Sequence, residues 1–462
     1  MSFRKNLALF LVLIAFAQSH VAAQAVLTLP EAVQTAATHY GSIKAKENYA
    51  AASQAYVTEA RRDYLPDLSL SAQQDYGTVN GQLGPLSGNG LSVASAGPTL
   101  DHQSWNAAFG ALYLANINWD FFAFGRSKEK IKTAQAAAAR DYNDWQQEIF
   151  EHKIKVAAAY LNLLAAQQLV SSYRKNLARA DTFRQVVIAR ALHGLIAGVD
   201  SSQADAEVSG ARIALTNAMD AEKERANQLA QLLGVPSQDF ILDTLFVRRI
   251  PRVLQDSVPL EKHPLLQWYK SRIQASDELA RYYRTFNYPA FSLTGIIQTR
   301  GSGIGSNYAQ DLTDISHGYW DGISPTRTNY LLGIGVTWNL SQPFRVSQQV
   351  RAQQLISKGL QDEYELAGQQ LKAQLQLADA KIRDALSNYN EAPIQVSSAA
   401  DAYLQKSVLY KNGLTNLVDV TQALYALTRA ETDRDIAYNN VWQALLLKAA
   451  ATGDFGLFLN GL

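Results

Sequence analysis

Cysteine is absent from all 462 residues of the chain, and this absence excludes several kinds of site. Disulfides, thiolate metal centres and cysteine nucleophiles all need the missing thiol. A lipid anchor on an N-terminal cysteine is excluded for the same reason. The chain must therefore be stabilised by packing and assembly alone.

Methionine, net charge and clustered histidines are also scarce. Two methionines give no support to a methionine-rich copper or silver relay. A net charge of +1 gives no indication of a broad nucleic-acid surface, so no nucleic-acid partner is expected. The seven histidines lack H-E-x-x-H and metal-ligand spacing, and no acid–base or nucleophile constellation is present. We expect no enzyme activity, no cofactor and no metal site.

Long hydrophobic runs are missing except near the start of the chain. Arg4 and Lys5 precede an apolar run over residues 7–17, and Ala23-Gln24-Ala25 follows as a cleavage pattern. A membrane anchor is the alternative, but it would need about 20 apolar residues. The pattern predicts a signal peptide over residues 1–25 and no transmembrane helix elsewhere.

A long internal repeat organises the rest of the chain. The matching pairs are Trp119 with Trp338, Asp200 with Asp419, and Pro66 with Pro289. The first two pairs are offset by 219 residues and the third by 223. We predict one structural repeat over residues 26–234 and a second over 263–462, with 235–262 as a linker around the middle.

Each repeat contains two segments with period-two hydrophobicity. The predicted strands cover about 66–76 and 105–120, then about 289–300 and 329–340. Trp105, Trp119, Tyr330 and Trp338 would mark the aromatic girdle at the membrane interfaces; core packing of a soluble sheet is the alternative. Four strands cannot close a transmembrane barrel, because the known ones begin at about eight. Eight strands from a dimer or twelve from a trimer would both suffice.

The segments 125–193 and 343–411 each span 69 residues without a glycine-rich break. Such helices would be roughly 100 Å long at about 1.5 Å per residue. Apolar residues at heptad spacing predict coiled-coil partners. The flanking segments 30–64 and 200–233, placed end to end, match one such helix in length. A transmembrane sheet that continues into these helices predicts a hollow rod.

The duplicated helix-to-strand junction, which reads Tyr-Leu-Pro in the first copy, the two strand-end tryptophans and the two Gly-Leu turns resemble the TolC-like outer-membrane efflux and secretion channels. The resemblance implies an α+β membrane protein with internally duplicated coiled-coil hairpins and four strands per chain. It also implies a homotrimer with a 12-stranded β-barrel and a 12-helix periplasmic tunnel. The barrel would lie among the lipids of the bacterial outer membrane.

The same resemblance implies a function and two protein partners. The trimer would passively conduct substrates received from a periplasmic adaptor and an inner-membrane transporter of the RND or ABC type. Such a channel serves a tripartite efflux pump or a type I secretion system, and the sequence does not distinguish drug, metal and protein substrates. The alternative from another class is a non-transporting coiled-coil stalk.

The resemblance also carries expectations for the turns that join the helices. In relatives the aspartate at the position of Asp419 lines the periplasmic constriction, and the one at Asp200 bonds a tyrosine that matches Tyr410. Gln422 stands where some relatives carry a second aspartate, and Thr415 where some carry an arginine. The simpler interpretation makes Asp200 and Asp419 the N-caps of the returning helices.

The turns themselves are expected to form exposed tips. Gly194 and Gly413 would end the long helices in a left-handed conformation, and Leu195 and Leu414 follow them. By the same resemblance these four residues would contact the adaptor.

Overall fold

The computed structural model describes residues 26–81, 97, 99–251 and 259–461. The predicted signal peptide, most of the first inter-strand loop and part of the linker lie outside these residues. Contacts divide the chain into two compact units. The helical unit comprises the segment that ends at Ala51 together with Ala139–Arg272 and Leu360–Leu462, and the sheet unit comprises Ala52–Ala138 and Ile273–Gly359.

The sheet unit is built on four antiparallel strands in the order β1-β2-β3-β4. The strands are β1 (Asp67–Thr78), β2 (Ala107–Phe122), β3 (Ala290–Ser302) and β4 (Arg327–Thr337). Each begins within two residues of its predicted start. The period-two pattern therefore located all four.

The register of the first hairpin is repeated in the second. Leu70 of β1 lies opposite Ala115 of β2, and the corresponding residues Leu293 and Ile334 lie opposite each other in β3 and β4. Because the pairing follows the sequence offsets without a slip, the duplication extends to the hydrogen-bond ladder.

The two faces of the sheet differ in polarity. One face carries exposed apolar side chains, among them Leu70 at 88% exposure and Leu332 at 74%. The opposite face of β1 and β2 is mostly polar: it carries Ser, Gln, Asp and Asn side chains, including the hydrogen-bonded pair Ser69 and Asn116, beside Leu112 and Leu114. A sheet with one exposed apolar face and one polar face is the pattern of a barrel wall between lipid and water.

Long helices dominate the rest of the chain. They are α1 (Leu29–His39), α2 (Gly41–Arg62), α3 (Arg126–Leu192), α4 (Gly198–Leu233), α5 (Leu245–Arg248), α6 (Pro264–Arg284), α7 (Tyr319–Ile323), α8 (Gln342–Lys411), α9 (Leu417–Thr452) and α10 (Phe455–Leu459). Helices α3 and α8 have 67 and 70 residues, and α8 continues through Pro393. In the described part of the chain no helix is both long and apolar enough to cross a membrane.

The core of the helical unit gathers segments from both repeats. Apolar faces of α1, α3, α4 and α9 meet there, with Tyr160 and Trp442 as its largest fully buried side chains. The linker joins this core: Leu27 forms a parallel bridge to Leu242. Tyr160 donates to the Leu27 carbonyl at 2.8 Å and accepts from the Asp243 amide at 3.0 Å. Burial raises the pKa of Tyr160 to about 12, so its hydroxyl stays a donor.

The returning helices end in the same way in both repeats. Gly234 after α4 and Gly453 after α9 have φ of 70° and 76°. Gly234 packs against His39, and Gly453 packs against His263. His263 is itself buried and bonds the Ala450 carbonyl through Nε2 at 3.0 Å. These contacts fasten the end of each returning helix to the residues just before α2 and α6 of the same repeat.

Candidate functional site

Helices α3 and α4 form one helical hairpin and α8 and α9 form a second. The turns at their two tips have the same backbone conformation. Gly194 and Gly413 have φ of 69° and 74°, which favours glycine. The amides of Leu195 and Leu414 donate back to the carbonyls of Arg190 and Leu409 at 3.0 and 2.9 Å. Such bonds are typical of glycine-terminated helices. Both leucine side chains are exposed, at 65% and 72%.

The two tip aspartates are not N-caps, so that simpler interpretation is wrong. Helix α9 is capped by Asn416, whose side-chain oxygen accepts from the Asp419 amide at 2.9 Å. Helix α4 begins after Ala197 without a side-chain cap. Both aspartates are therefore the third residue of their helix, because each helix begins earlier than expected. Their negative charges still lie in the first turn, where the helix dipole favours them.

Asp419 is held by its own hairpin. Its Oδ2 accepts from Lys406 Nζ at 2.8 Å and from Thr415 Oγ1 at 2.6 Å. The hydrogen bond from Lys406, followed by that from Thr415, lowers the pKa of Asp419. The carboxylate is thus ionised and paired, and about a third of its side chain remains exposed, at 35%.

Asp200 has a different environment at the first tip. Among the described residues, no hydrogen bond or ion pair to its carboxylate is found. The positions that correspond to Lys406 and Thr415 are Val187 and Ile196 in this repeat, and neither can donate. Burial and then the charge of Asp200 raise the pKa of Tyr410, so the aspartate acts on that tyrosine at a distance.

Tyr410 is buried between the two hairpins, at 2% exposure. The Arg190 guanidinium lies 4.9 Å from its ring centroid and donates to its carbonyl oxygen. The ring also packs on Phe183 at 5.2 Å between centroids. The hydroxyl has no partner among the described residues, so the bond to Asp200 that the family resemblance implied is not formed within the chain.

Gln422 is exposed on α9. C-terminal to it, side chains of α9 form hydrogen bonds with the first helical hairpin. The pairs are Tyr425 with Glu207, Thr428 with Asn176, Glu431 with Arg179 and Asp435 with Ser172, at 2.5 to 2.7 Å. The hydrogen bond to Glu207 raises the pKa of Tyr425 to about 12. The bonds from α9 to the first hairpin therefore lie on the side of Gln422 away from the tip, and Arg190 adds a bond to the Tyr410 carbonyl nearer the tip.

Sequence reasoning missed Lys406 and Arg190. Lys406 lies 13 residues before Asp419, a separation with no local signal. A basic residue in the last turn of α3 was visible at Arg190. Its role at Tyr410 depends on packing between hairpins that are more than two hundred residues apart.

The predicted interfacial aromatics lie at the two ends of the sheet. Trp119 and Trp338, at the helix end, donate from Nε1 to the carbonyls of Tyr64 and Asn287 at 2.8 and 3.2 Å. These bonds repeat with the same offsets as the sequence. Trp105 and Tyr330, at the loop end, are 82% and 80% exposed. In the described ranges no cluster of His, Cys, Asp and Glu could hold a metal ion.

Comparison with known proteins shows the fold and a match to one family model over part of the chain. The model of a family described as outer membrane efflux protein matches residues 32–235. No curated protein matches the chain. The outer-membrane channel OprN has a TM-score of 0.72 at 16% identity, covering 93% of this chain and 90% of that chain.

Two further channels give similar values. VceC from Vibrio cholerae has a TM-score of 0.70 at 16% identity, covering 92% of this chain and 96% of that chain. CmeC from Campylobacter jejuni has a TM-score of 0.72 at 14% identity, with 92% and 85% covered. These likenesses confirm the expected TolC-like fold, and the family model, which matches less than half of the chain, agrees with the expected family resemblance. The repeat boundaries and the roles of the tip residues stay predictions.

Proposed function

We propose that this chain, a TolC-like protein of the outer membrane efflux protein family, forms the outer-membrane exit channel of a tripartite efflux pump or a type I secretion system. Substrates would pass through it without chemical change. The observation that carries the proposal is a four-stranded sheet with an exposed apolar face and two unpaired edges.

The unpaired edges require more than one chain. Within the described ranges, strands β1 and β4 each pair on one side only. In hydrocarbon their free N–H and C=O groups would each cost several kcal/mol, so the sheet must close. Physics alone admits a dimer or a trimer, and the TolC-like fold favours the homotrimer. Outer-membrane lipid would then cover the apolar face.

The exposed tips supply a surface for a periplasmic adaptor. Leu195 and Leu414 follow the glycine turns, and their side chains are 65% and 72% exposed. An adaptor that covers them, together with Gly194 and Gly413, would link the channel to an inner-membrane transporter of the RND or ABC type. Substrate choice would then belong to those partners.

The tip aspartates would form the gate. Three copies of Asp419 near a common axis would favour cations and repel one another. Lys406 and Thr415 offset that repulsion by holding each carboxylate against its own hairpin. Asp200 and Gln422 would line the same region, and the buried Tyr410 would join the two hairpins behind it. Opening would separate the second hairpin from the first.

Planar-bilayer conductance of the purified protein tests the proposal, with wild type compared with Asp419→Asn. Asp401→Asn, an exposed carboxylate on α8 away from the tip, is the matched control. We expect discrete conductance steps in all three and a weaker cation preference in Asp419→Asn alone. Absence of steps from a verified folded oligomer would favour the non-transporting coiled-coil stalk.

A further inference from the structure

Helix α7, in the loop between β3 and β4, lies flat on the apolar face of the sheet. The Tyr319 ring contacts Phe109 edge-on at 5.2 Å between centroids, and its hydroxyl donates to Gln74 at 2.9 Å. The Tyr113 hydroxyl donates to the Ile323 carbonyl at 3.2 Å. Gln74, Phe109 and Tyr113 belong to the same face as Leu70 and Leu332, so the helix rests on the outer side of the wall.

Glycines allow this close approach. A Cβ on Gly322 would overlap Phe109, and one on Gly301 would overlap the backbone of Ser324 at 2.6 Å. The backbone of α7 therefore lies directly against the surface of strands β2 and β3. A loop packed this closely is a built part of the sheet unit.

The outer surface of α7 is aromatic. Trp320 is 73% exposed and Tyr319 is 42% exposed. Next to α7, toward the Trp119 end of the sheet, the same face has a shallow depression. Its lining is mainly apolar, and Tyr113 and Thr299 lie at the edge nearest α7; the lining residues are Leu70, Ser71, Ala72, Tyr113, Leu114, Ala115, Ile297 and Thr299. Two residues further along each strand, the surface thus changes from hydroxyl and aromatic groups to aliphatic side chains.

The spacing of the two aromatic levels fits a membrane. Phe109, which α7 covers, and Trp119 lie on the same strand and the same face. Ten residues span roughly 33 Å along a strand, which is about 25 Å across a barrel wall tilted by about 40°. An outward apolar band of about 25 Å is what an outer-membrane barrel presents to lipid.

We propose that α7 is an interfacial anchor, whose Trp320 and Tyr319 lie in the headgroup region of the outer leaflet while an acyl chain occupies the depression beneath. The inference rests on the proposed function, because it needs the sheet in the membrane. Amphipathic aromatic rings with one polar edge favour that boundary. The apolar band ends where α7 begins, so lipid that covers the band also contacts the helix. The anchor fixes the depth of the barrel and shields the loop end of β1 and β2.

Because the chain has no cysteine, single cysteines can carry a spin label at chosen sites. We would label Trp320→Cys, Leu332→Cys in the apolar band, and Ala309→Cys in the exposed loop. Collision rates with oxygen, which concentrates in lipid, and with a water-soluble nickel chelate report depth. We expect Leu332 to favour oxygen, Ala309 to favour nickel, and Trp320 to fall between them.

A second measurement leaves the anchor in place. Tryptophan emission of wild type minus that of Trp320→Phe isolates Trp320, and phospholipids brominated near the headgroup should quench this difference more than those brominated near the chain end. Formation of the wild-type oligomer by Trp320→Phe shows that this variant is folded. A difference emission that no brominated lipid quenches overturns the anchor.

The two failures are distinguishable. If the Leu332 label collides with nickel as the Ala309 label does, the sheet is not in lipid and the proposed channel fails. If Leu332 is in lipid but the Trp320 label behaves like Ala309, only the anchor fails. A Trp320 label shielded from both reagents would mean a protein partner covers α7, which also overturns the lipid assignment.

Discussion

The two hairpin tips share a backbone but not a set of side chains. Lys406 and Thr415 donate to Asp419 in the second repeat. In the first repeat Val187 and Ile196 stand at the corresponding positions, and the Asp200 carboxylate has no bonded partner among the described residues. One aspartate is therefore held in place by its own helices, while the other acts only through its charge. The carboxylate that is held in place, Asp419, thus lies on the second helical hairpin, which is the hairpin proposed to move on opening.

Removal of Lys406 should change how the channel responds to acid. The Lys406 hydrogen bond lowers the pKa of Asp419, so Lys406→Met should move that pKa up toward its ordinary value of about 3.9. The wild-type carboxylate stays charged to a lower pH than the variant's. In planar bilayers, the cation preference of Lys406→Met should thus disappear at a higher pH during acidification.

Lys372→Met, an exposed lysine on α8 without a described ion pair, is the matched control and should behave as wild type. Identical pH profiles for wild type and Lys406→Met would contradict a role for Asp419 in ion selection.

At the scale of elements, the ends of the returning helices decide how the hairpins are fastened. Gly453 ends α9 with φ of 76°, and a Cβ there would lie 2.8 Å from His263 Cα. The left-handed conformation costs an L-residue about 1–2 kcal/mol, and the overlap with His263 adds to it. Gly453→Ala should thus lower the free energy of unfolding of the helical unit by at least about 1 kcal/mol.

Gly210, inside α4, offers the opposite case within the same kind of helix. A Cβ there meets nothing within 4 Å, and its φ is not positive. Gly210→Ala should raise the free energy of unfolding by about 0.5–1 kcal/mol, because alanine is the better helix former. Unfolding of both variants in urea, followed by helical circular dichroism, checks the signs. Equal effects in the two variants would mean that the Gly453 turn is not constrained.

The sequence predicted the elements well because each has a periodic signal. The strands alternate because the two faces of the sheet differ in polarity, and the helices show heptads because they need partners. The internal repeat then showed that the same elements occur in the same order in both halves of the chain. Helix α7 was not predicted, because five residues inside a polar loop carry no period. The pairing of Lys406 with Asp419 was missed for another reason: it depends on which faces of α8 and α9 meet.

At the scale of the whole molecule, the internal repeat predicts which strand residues of neighbouring chains pair. Strand β3 pairs with β2, and if each chain repeats this step with the next, β4 of one chain pairs with β1 of its neighbour. In β2–β3, Ile117 lies opposite Gly295. The offsets of 219 and 223 convert this pair to Val336 and Ala72. Both lie on the apolar face, as a closed barrel requires.

A disulfide between Val336→Cys and Ala72→Cys should therefore join neighbouring chains. A disulfide needs Cα atoms within about 7 Å, which directly opposed strand residues satisfy. In the cysteine-free chain, oxidation of this double variant should give cross-linked dimers and trimers on a non-reducing denaturing gel, and reduction should reverse them.

The control pair Val336→Cys with Leu68→Cys lies on the same face but four residues out of register, a shift of about 13 Å that is too far to bridge. Cross-linking of the control instead of the matched pair would mean that the contact between chains has slipped relative to the contact between repeats. Cross-linking of the matched pair alone would mean that a single rule, present twice in the sequence, sets every strand pairing around the barrel. The trimer would then be the continuation of the duplication from one chain to the next.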